Sequence, residues 1–118
     1  MTEHRAITYH LTPADWYAAS DPSAPYLPEA FTADGFIHCT DGLANVVETA
    51  NRYCRPDPRP YLLLHIDTRR VTAEVRYEDS ARIYPHIHGP LDRAAIMGAT
   101  PMPRATDGAF LSLPSTDG

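Results

Sequence analysis

The six residues from Arg55 to Pro60 carry three prolines. No helix passes through such a run, because proline lacks an amide hydrogen and its ring clashes with the preceding turn. Before this break the apolar side chains of Leu43, Val46, Val47, Ala50, Tyr53 and Cys54 recur at the spacing of one helix face. After it, Tyr61 to Ile66 is a continuous apolar run of strand length, which predicts a central strand.

The other segments arrange themselves around these two. Ala6 to Leu11 alternates, with Ile7, Tyr9 and Leu11 on one face and His10 on the other, and reads as a first strand. Thr12-Pro13-Ala14-Asp15 has the form of a helix start: Thr12 as cap, Pro13 in the first turn, Asp15 completing a capping box, and Leu11 with Trp16 as a hydrophobic staple. That helix runs to about Ala19. Pro28 to Asp34 predicts another short helix, closed by Gly35, whose missing Cβ suits a left-handed cap. Gly35 to Cys39 is strand-like. Val71, Ala73, Val75 and Tyr77 alternate with polar residues, and Ile83 to His88 predicts a further strand whose Pro85 argues for an edge or a bulge. Ala94 to Met102 and Ala109 to Leu113 read as a pair joined through the Asp107-Gly108 turn. Helices in the first half and strands in the second favour an α+β fold with a mixed or antiparallel sheet.

A chain of 118 residues suits one domain, 1–118, with 114–118 as a flexible tail. No run approaches the ~18 apolar residues of a membrane span, and the charged start Met1 to Arg5 does not read as a signal peptide. Cys39 and Cys54 are too few for a disulfide framework and wrongly spaced for zinc, so they read as reduced thiols and point to the cytoplasm. Net charge is −5, and all ten basic residues are arginine. The overall field disfavours bulk nucleic acid. A local arginine pair can still grip one phosphate group. Nothing in the pattern specifies an oligomeric state.

Three histidine segments stand near predicted strand ends, where loops gather sites: Tyr9-His10-Leu11-Thr12, Phe36-Ile37-His38-Cys39-Thr40 and Tyr84-Pro85-His86-Ile87-His88-Gly89. His10 and His38 each precede a helix start, where free amide hydrogens favour an anion. His86 and His88 share a strand face with Tyr84. They suit a metal if His38, His10 or Glu78 completes the set. Hydrogen bonding to backbone or water is the favoured alternative, and no metal is expected. His65, in an apolar strand, reads as structural, and His4 as solvated. Cys39 and His38 are strand neighbours facing opposite ways, so they do not form a thiol dyad. Glu74 is expected in a cross-strand ion pair. Glu78 ends its strand and is available to stabilise a cation or orient a hydroxyl, with Ser80 in the loop that follows. Arg82 either meets a phosphate or pairs with Asp79 or Glu78.

Taken together, Tyr9-His10-Leu11-Thr12 with Trp16, Gly35 to Thr40, Tyr77-Glu78-Asp79-Ser80 with Arg82, and Tyr84 to Leu91 resemble the "domain of unknown function 952" family of bacterial and plant proteins. That family looks like a compact branch of the ADP-ribosyl-transferase superfamily. Tyr9-His10-Leu11-Thr12 is similar to the Tyr-His-Gly-Thr stretch with which toxin-type members hold NAD, although Leu11 stands in place of glycine. The resemblance implies an ADP-ribosyl-transferase-like fold and a small-molecule or nucleotide ligand, with NAD as the cofactor. It implies Glu78, His38 and His86 as catalytic groups, and Tyr9, His10, Thr12, Thr40, Ser80, Arg82, Tyr84 and His88 as ligand contacts. Two rivals stand beside the transferase: a catalytically silent binding module, and a metal-dependent enzyme using His38, His86 and His88.

Overall fold

Alternation at the start of the chain does build the first strand. In the computed structural model, which describes residues 7–113, β1 (Ile7–Pro13) pairs antiparallel with β3 (Tyr61–Asp67) along its whole length. Between them lie α1 (Ala14–Ala19), α2 (Phe31–Asp34), β2 (Ile37–His38) and α3 (Leu43–Thr49), the last continuing as a π-helical turn, Ala50–Cys54. After β3 come β4 (Glu74–Tyr77), β5 (Pro85–His88) and β6 (Ile96–Pro101). The fold is α+β with its α-helices in the N-terminal half, as expected. Among the described residues there are two sheets of three strands each instead of one, ordered β1-β3-β6 and β2-β5-β4, and every pairing is antiparallel.

The apolar run Tyr61–Ile66 becomes the central strand of the first sheet because both its faces are covered. Leu64 and Ile66 join a core with Tyr26, Ile37, Ile87 and Leu91. Tyr61 and Leu63 face a second core with Val46, Ala50, Met102 and Phe110. The strand register sets Thr8 opposite Ile66 and His10 opposite Leu64, so the polar face of β1 is buried in the first core's layer. The sheets are joined where Tyr9 and Thr40 exchange two backbone hydrogen bonds, at 3.0 and 2.8 Å.

Several expectations change. Thr12 does not cap α1: β1 continues through Pro13, and the Thr12 hydroxyl bonds the Tyr26 hydroxyl at 2.5 Å. Trp16 does not staple to Leu11; it is 39% exposed and donates its indole hydrogen to the Leu27 carbonyl. Gly35 does close α2, at φ +78°. Pro85 lies neither at an edge nor in a bulge: β5 is the central strand of its sheet, and proline is accommodated as its first residue. Ala109–Leu113 forms no strand, since β6 pairs with β3; around Gly108 (φ +94°) only Arg104 and Phe110 bridge. The expectations for residues 114–118, for His4 and for the N-terminal residues lie outside the described residues.

Cys39 and Cys54 are free thiols, and burial pushes both pKa values up. His65 is a structural histidine, its Nε2 2.7 Å from the Thr100 hydroxyl. Glu74 pairs with Arg76 of its own strand and not across the sheet. Among the described residues, no helix is long and apolar enough to cross a membrane.

Candidate functional site

Antiparallel register does most of the work of assembling the site. His38 on β2 lies directly opposite His86 on β5, so both imidazoles rise from one sheet face, ring centroids 5.3 Å apart. Phe36 stacks on His86 at 4.2 Å with an interplanar angle of 20°. The opposite face of these strands carries Ile37 and Ile87 into the first core. Glu78 follows β4, and its Oε1 accepts hydrogen bonds from His86 Nδ1 at 2.8 Å and His88 Nε2 at 3.3 Å. These bonds, His86 first, hold the Glu78 pKa below the usual carboxylate value. His38 is held in the same manner: its Nε2 lies 3.0 Å from Asp34 Oδ2, four residues back at the end of α2.

This sheet face forms one side of a cleft of about 680 Å³, within the usual range for a small-molecule site. The first sheet contributes His10 and Thr12 to its lining, and α3 with its π-helical turn contributes Thr49, Arg52 and Tyr53. His10 is 6% exposed, and its Nδ1 hydrogen bonds the His38 carbonyl oxygen at 2.6 Å. Desolvation lowers its pKa to about 4, so the ring is neutral at pH 7 with its hydrogen on Nδ1. Its Nε2 is then a pure acceptor, and it has no hydrogen-bond partner. The Asp79 carboxylate accepts the amide hydrogens of Ile83 and Tyr84, which fixes the loop that brings Tyr84 to the cleft.

The cleft therefore brings together His10, Thr12, His38, Thr40, Glu78, Tyr84 and His86. Four residues expected with them do not line it. Tyr9 points to the other face of β1, edge-on to His65 at 5.2 Å. Ser80 is exposed. Arg82, at φ +56°, lays its guanidinium over the Tyr77 ring at 4.9 Å and forms neither expected ion pair. His88 stands behind Glu78, 25% exposed.

Sequence reasoning missed Asp34, Phe36, Thr49 and Arg52, and it placed Tyr53 on the packed helix face, whereas Tyr53 is 71% exposed. The spacing of Thr49, Arg52 and Tyr53 was a usable signal, because residues three and four apart share a helix side. The widened π turn, a geometry frequent at functional sites, then alters which side chains face the core.

The fold and the cleft define an α+β protein of two antiparallel three-stranded sheets that share one imidazole-lined hollow. Protein CC0527 from Caulobacter crescentus has a similar fold. Its crystal structure, and that of a double methionine mutant of it, each match with a TM-score of 0.73 at 19% identity, covering 89% of this chain and 93% of that one. The solution NMR structure matches at 0.67 and 21% identity, covering 87% and 90%. The model of a family described as protein of unknown function, DUF952, matches residues 10–99. The chain belongs to the DUF952 family. No curated protein matches it. Neither description mentions ADP-ribosyl transfer, so that part of the expected kinship has no support from these likenesses.

Proposed function

We propose that this protein is an enzyme that admits a small molecule to the cleft and acts on it by proton transfer, with His86 as base. One observation carries the reading: Glu78 accepts the Nδ1 hydrogen of His86 at 2.8 Å beside the cleft. A carboxylate in that position fixes the tautomer and leaves Nε2 as the free basic nitrogen. His38, held by Asp34, is the second proton-carrying group.

Charge narrows the substrate. Glu29, Asp34, Glu78 and Asp79 line the cleft against one guanidinium, Arg52. Such a lining attracts a cationic or neutral molecule and opposes a diphosphate. Within the glycosidic chemistry implied by the resemblance, a cationic N-riboside fits better than NAD itself. In that reaction the bond from C1′ to the base nitrogen breaks and its electron pair leaves with the neutral base. Glu78 stabilises the developing cation, water adds to C1′, and a water proton passes to His86.

The test is turnover of nicotinamide riboside and of NAD, followed by release of nicotinamide, in the wild type and in Glu78→Gln and His86→Gln. Turnover of the riboside, reduced about 100-fold or more by either substitution, supports the reading. Thermal stabilisation by the riboside without product makes the protein a silent binding module. No turnover and no binding with either compound removes the glycosidic assignment.

A second reading rests on Glu78, His86 and His88, whose ligand atoms all lie within 4.8 Å of one another. That set suits a divalent first-row metal with open positions. Of the third ligands read from sequence it takes Glu78 and not His38, because His38 is turned to Asp34. Shared protons account for the same contacts without an ion. Calorimetric titration of the untagged protein with zinc decides between them: stoichiometric binding lost in His88→Ala makes Glu78 and His86 ligands and ends the base assignment.

A further inference from the structure

We infer that His10 is the specificity determinant of the cleft and that it selects ligands presenting a hydrogen-bond donor, a primary carboxamide or hydroxyl, on a flat apolar body. The inference rests on the small-molecule reading of the cleft and names the class of molecule that enters it.

The argument begins with the two nitrogens of one ring. Nδ1 is committed, because at 2.6 Å from a backbone carbonyl it must carry the hydrogen. Burial keeps the ring neutral, its pKa near 4. Nε2 is thereby left with a lone pair and no hydrogen, and it finds no partner in the protein. A buried acceptor left unpaired costs free energy, and a ligand that supplies a donor recovers it. His10 lines the cleft while its Nε2 is shielded from water, so the donor that pairs with it must come from a ligand pressed into that wall.

The same logic excludes other ligands. An anion offers only acceptors, so against Nε2 it sets one lone pair against another. The carboxylates lining the cleft oppose it further. Thr12, two residues along on the same face of β1, does not relax this choice, since its hydroxyl is engaged with Tyr26. On α3 Thr49 lines the same cleft, and its buried hydroxyl oxygen is also unpaired, so a second polar atom of the ligand has a counterpart in that wall. The apolar body of the ligand is matched by Phe31, Phe36, Tyr53 and Tyr84.

Three probes of one shape separate donor from charge: 2-phenylacetamide, methyl phenylacetate and phenylacetate, titrated calorimetrically at pH 7.5. The amide is expected to bind about tenfold more tightly than the ester, the gain of one hydrogen bond, and the acid more weakly than either. The preference of amide over ester disappears in His10→Phe. Because that substitution also removes the bond to His38, ¹⁵N-histidine NMR of the wild type gives an independent readout, in which the unprotonated Nε2 signal of His10 shifts with the amide and not with the ester. Equal binding of amide and ester, or an Nε2 signal unmoved by the bound amide, overturns the inference whatever the outcome of the turnover assay. Binding of the amide without catalysis by any riboside leaves the inference standing and removes only the enzymatic reading.

Discussion

His10 on β1 donates its Nδ1 hydrogen to the backbone carbonyl oxygen of His38 on β2, at 2.6 Å, and so ties one sheet to the other at the wall of the cleft. The bond that fixes the ring also buries it, and the buried ring resists a second proton.

Acid stability should report that resistance. The folded pKa of His10 is about 4, against 6.5 for the free side chain. Between these values the unfolded chain binds a proton that the folded chain refuses, so stability is full above pH 6.5 and falls as pH drops towards 4. The span is worth roughly 3 kcal/mol. His38 and Tyr26 pack against the ring, and neither offers a compensating negative charge at these pH values. His65, also lowered by burial, adds to the same slope. Urea unfolding at pH 7.5 and pH 5 is expected to show His10→Leu less stable than wild type at the higher pH yet flatter between the two. Equal slopes would show that His10 is not the buried titrating group.

The Thr12 and Tyr26 hydroxyls satisfy each other, both residues being nearly fully buried. Removing the threonine hydroxyl strands that of Tyr26, and removing the tyrosine hydroxyl leaves Thr12 only a long 3.4 Å bond to the Pro13 carbonyl oxygen, whereas removing both leaves only apolar surface. Tyr26→Phe and Thr12→Val are each expected to cost about 1–3 kcal/mol, and the double variant distinctly less than their sum. Additive losses in denaturant unfolding would mean that the two hydroxyls do not depend on one another.

Much of this architecture is legible in the sequence because single local signals decide it. The apolar run at Tyr61 to Ile66, the periodicity from Leu43 and the Gly35 cap each follow from one energetic rule. Where two rules compete, the reading fails. Thr12 has cap chemistry and a capping partner at Asp15, but pairing with Leu62 and the bond to Tyr26 keep it in β1. Pro85 reads as an edge residue because proline cannot donate to a ladder, yet as first residue of β5 it only has to accept, from the Cys39 amide at 3.0 Å. The histidine positions on the site were legible from strand parity, and His38 and His86 meet because β2 and β5 pair in that register. Asp34 and Thr49 were not, since their importance arises from helices placed by tertiary packing. Arg82, the arginine that suggested phosphate binding, lies over the Tyr77 ring instead, while Arg93 bonds Ala24, Ser20 and Asp21, and Arg59 joins Asp57 and Glu29.

Gly89 follows His88 at the end of β5, and a Cβ built on it would lie 2.8 Å from the Ala73 Cβ. The contact is between small side-chain and backbone-anchored atoms, so relief requires the backbone to move. Gly89→Ala is expected to destabilise by about 1–3 kcal/mol, with Ala73→Gly in the same chain restoring much of the loss. A fully stable Gly89→Ala in thermal unfolding, or no rescue, would place the strain elsewhere.

Arg104 fastens the segment around Asp107-Gly108 to the proline-rich break between the π-helical turn and β3. Its Nη1 donates to the carbonyl oxygens of Asp57 at 2.7 Å and Arg59 at 2.8 Å, and its Nη2 to those of Arg55 and Gly108, both at 3.0 Å. The same guanidinium lies 4.1 Å over the Phe110 ring, which belongs to the second core. A lysine ammonium carries the charge but cannot spread planar donors over four carbonyl groups. Arg104→Lys is therefore expected to cost about 2–3 kcal/mol, measured by urea unfolding, with faster proteolysis between residues 104 and 113. Arg55, whose exposed pair with Asp107 spans 3.2 Å, supplies the control: Arg55→Lys should change stability by less than about 1 kcal/mol. If the two substitutions have equal effects, the carbonyl cluster around Arg104 is not what holds this segment to the second core.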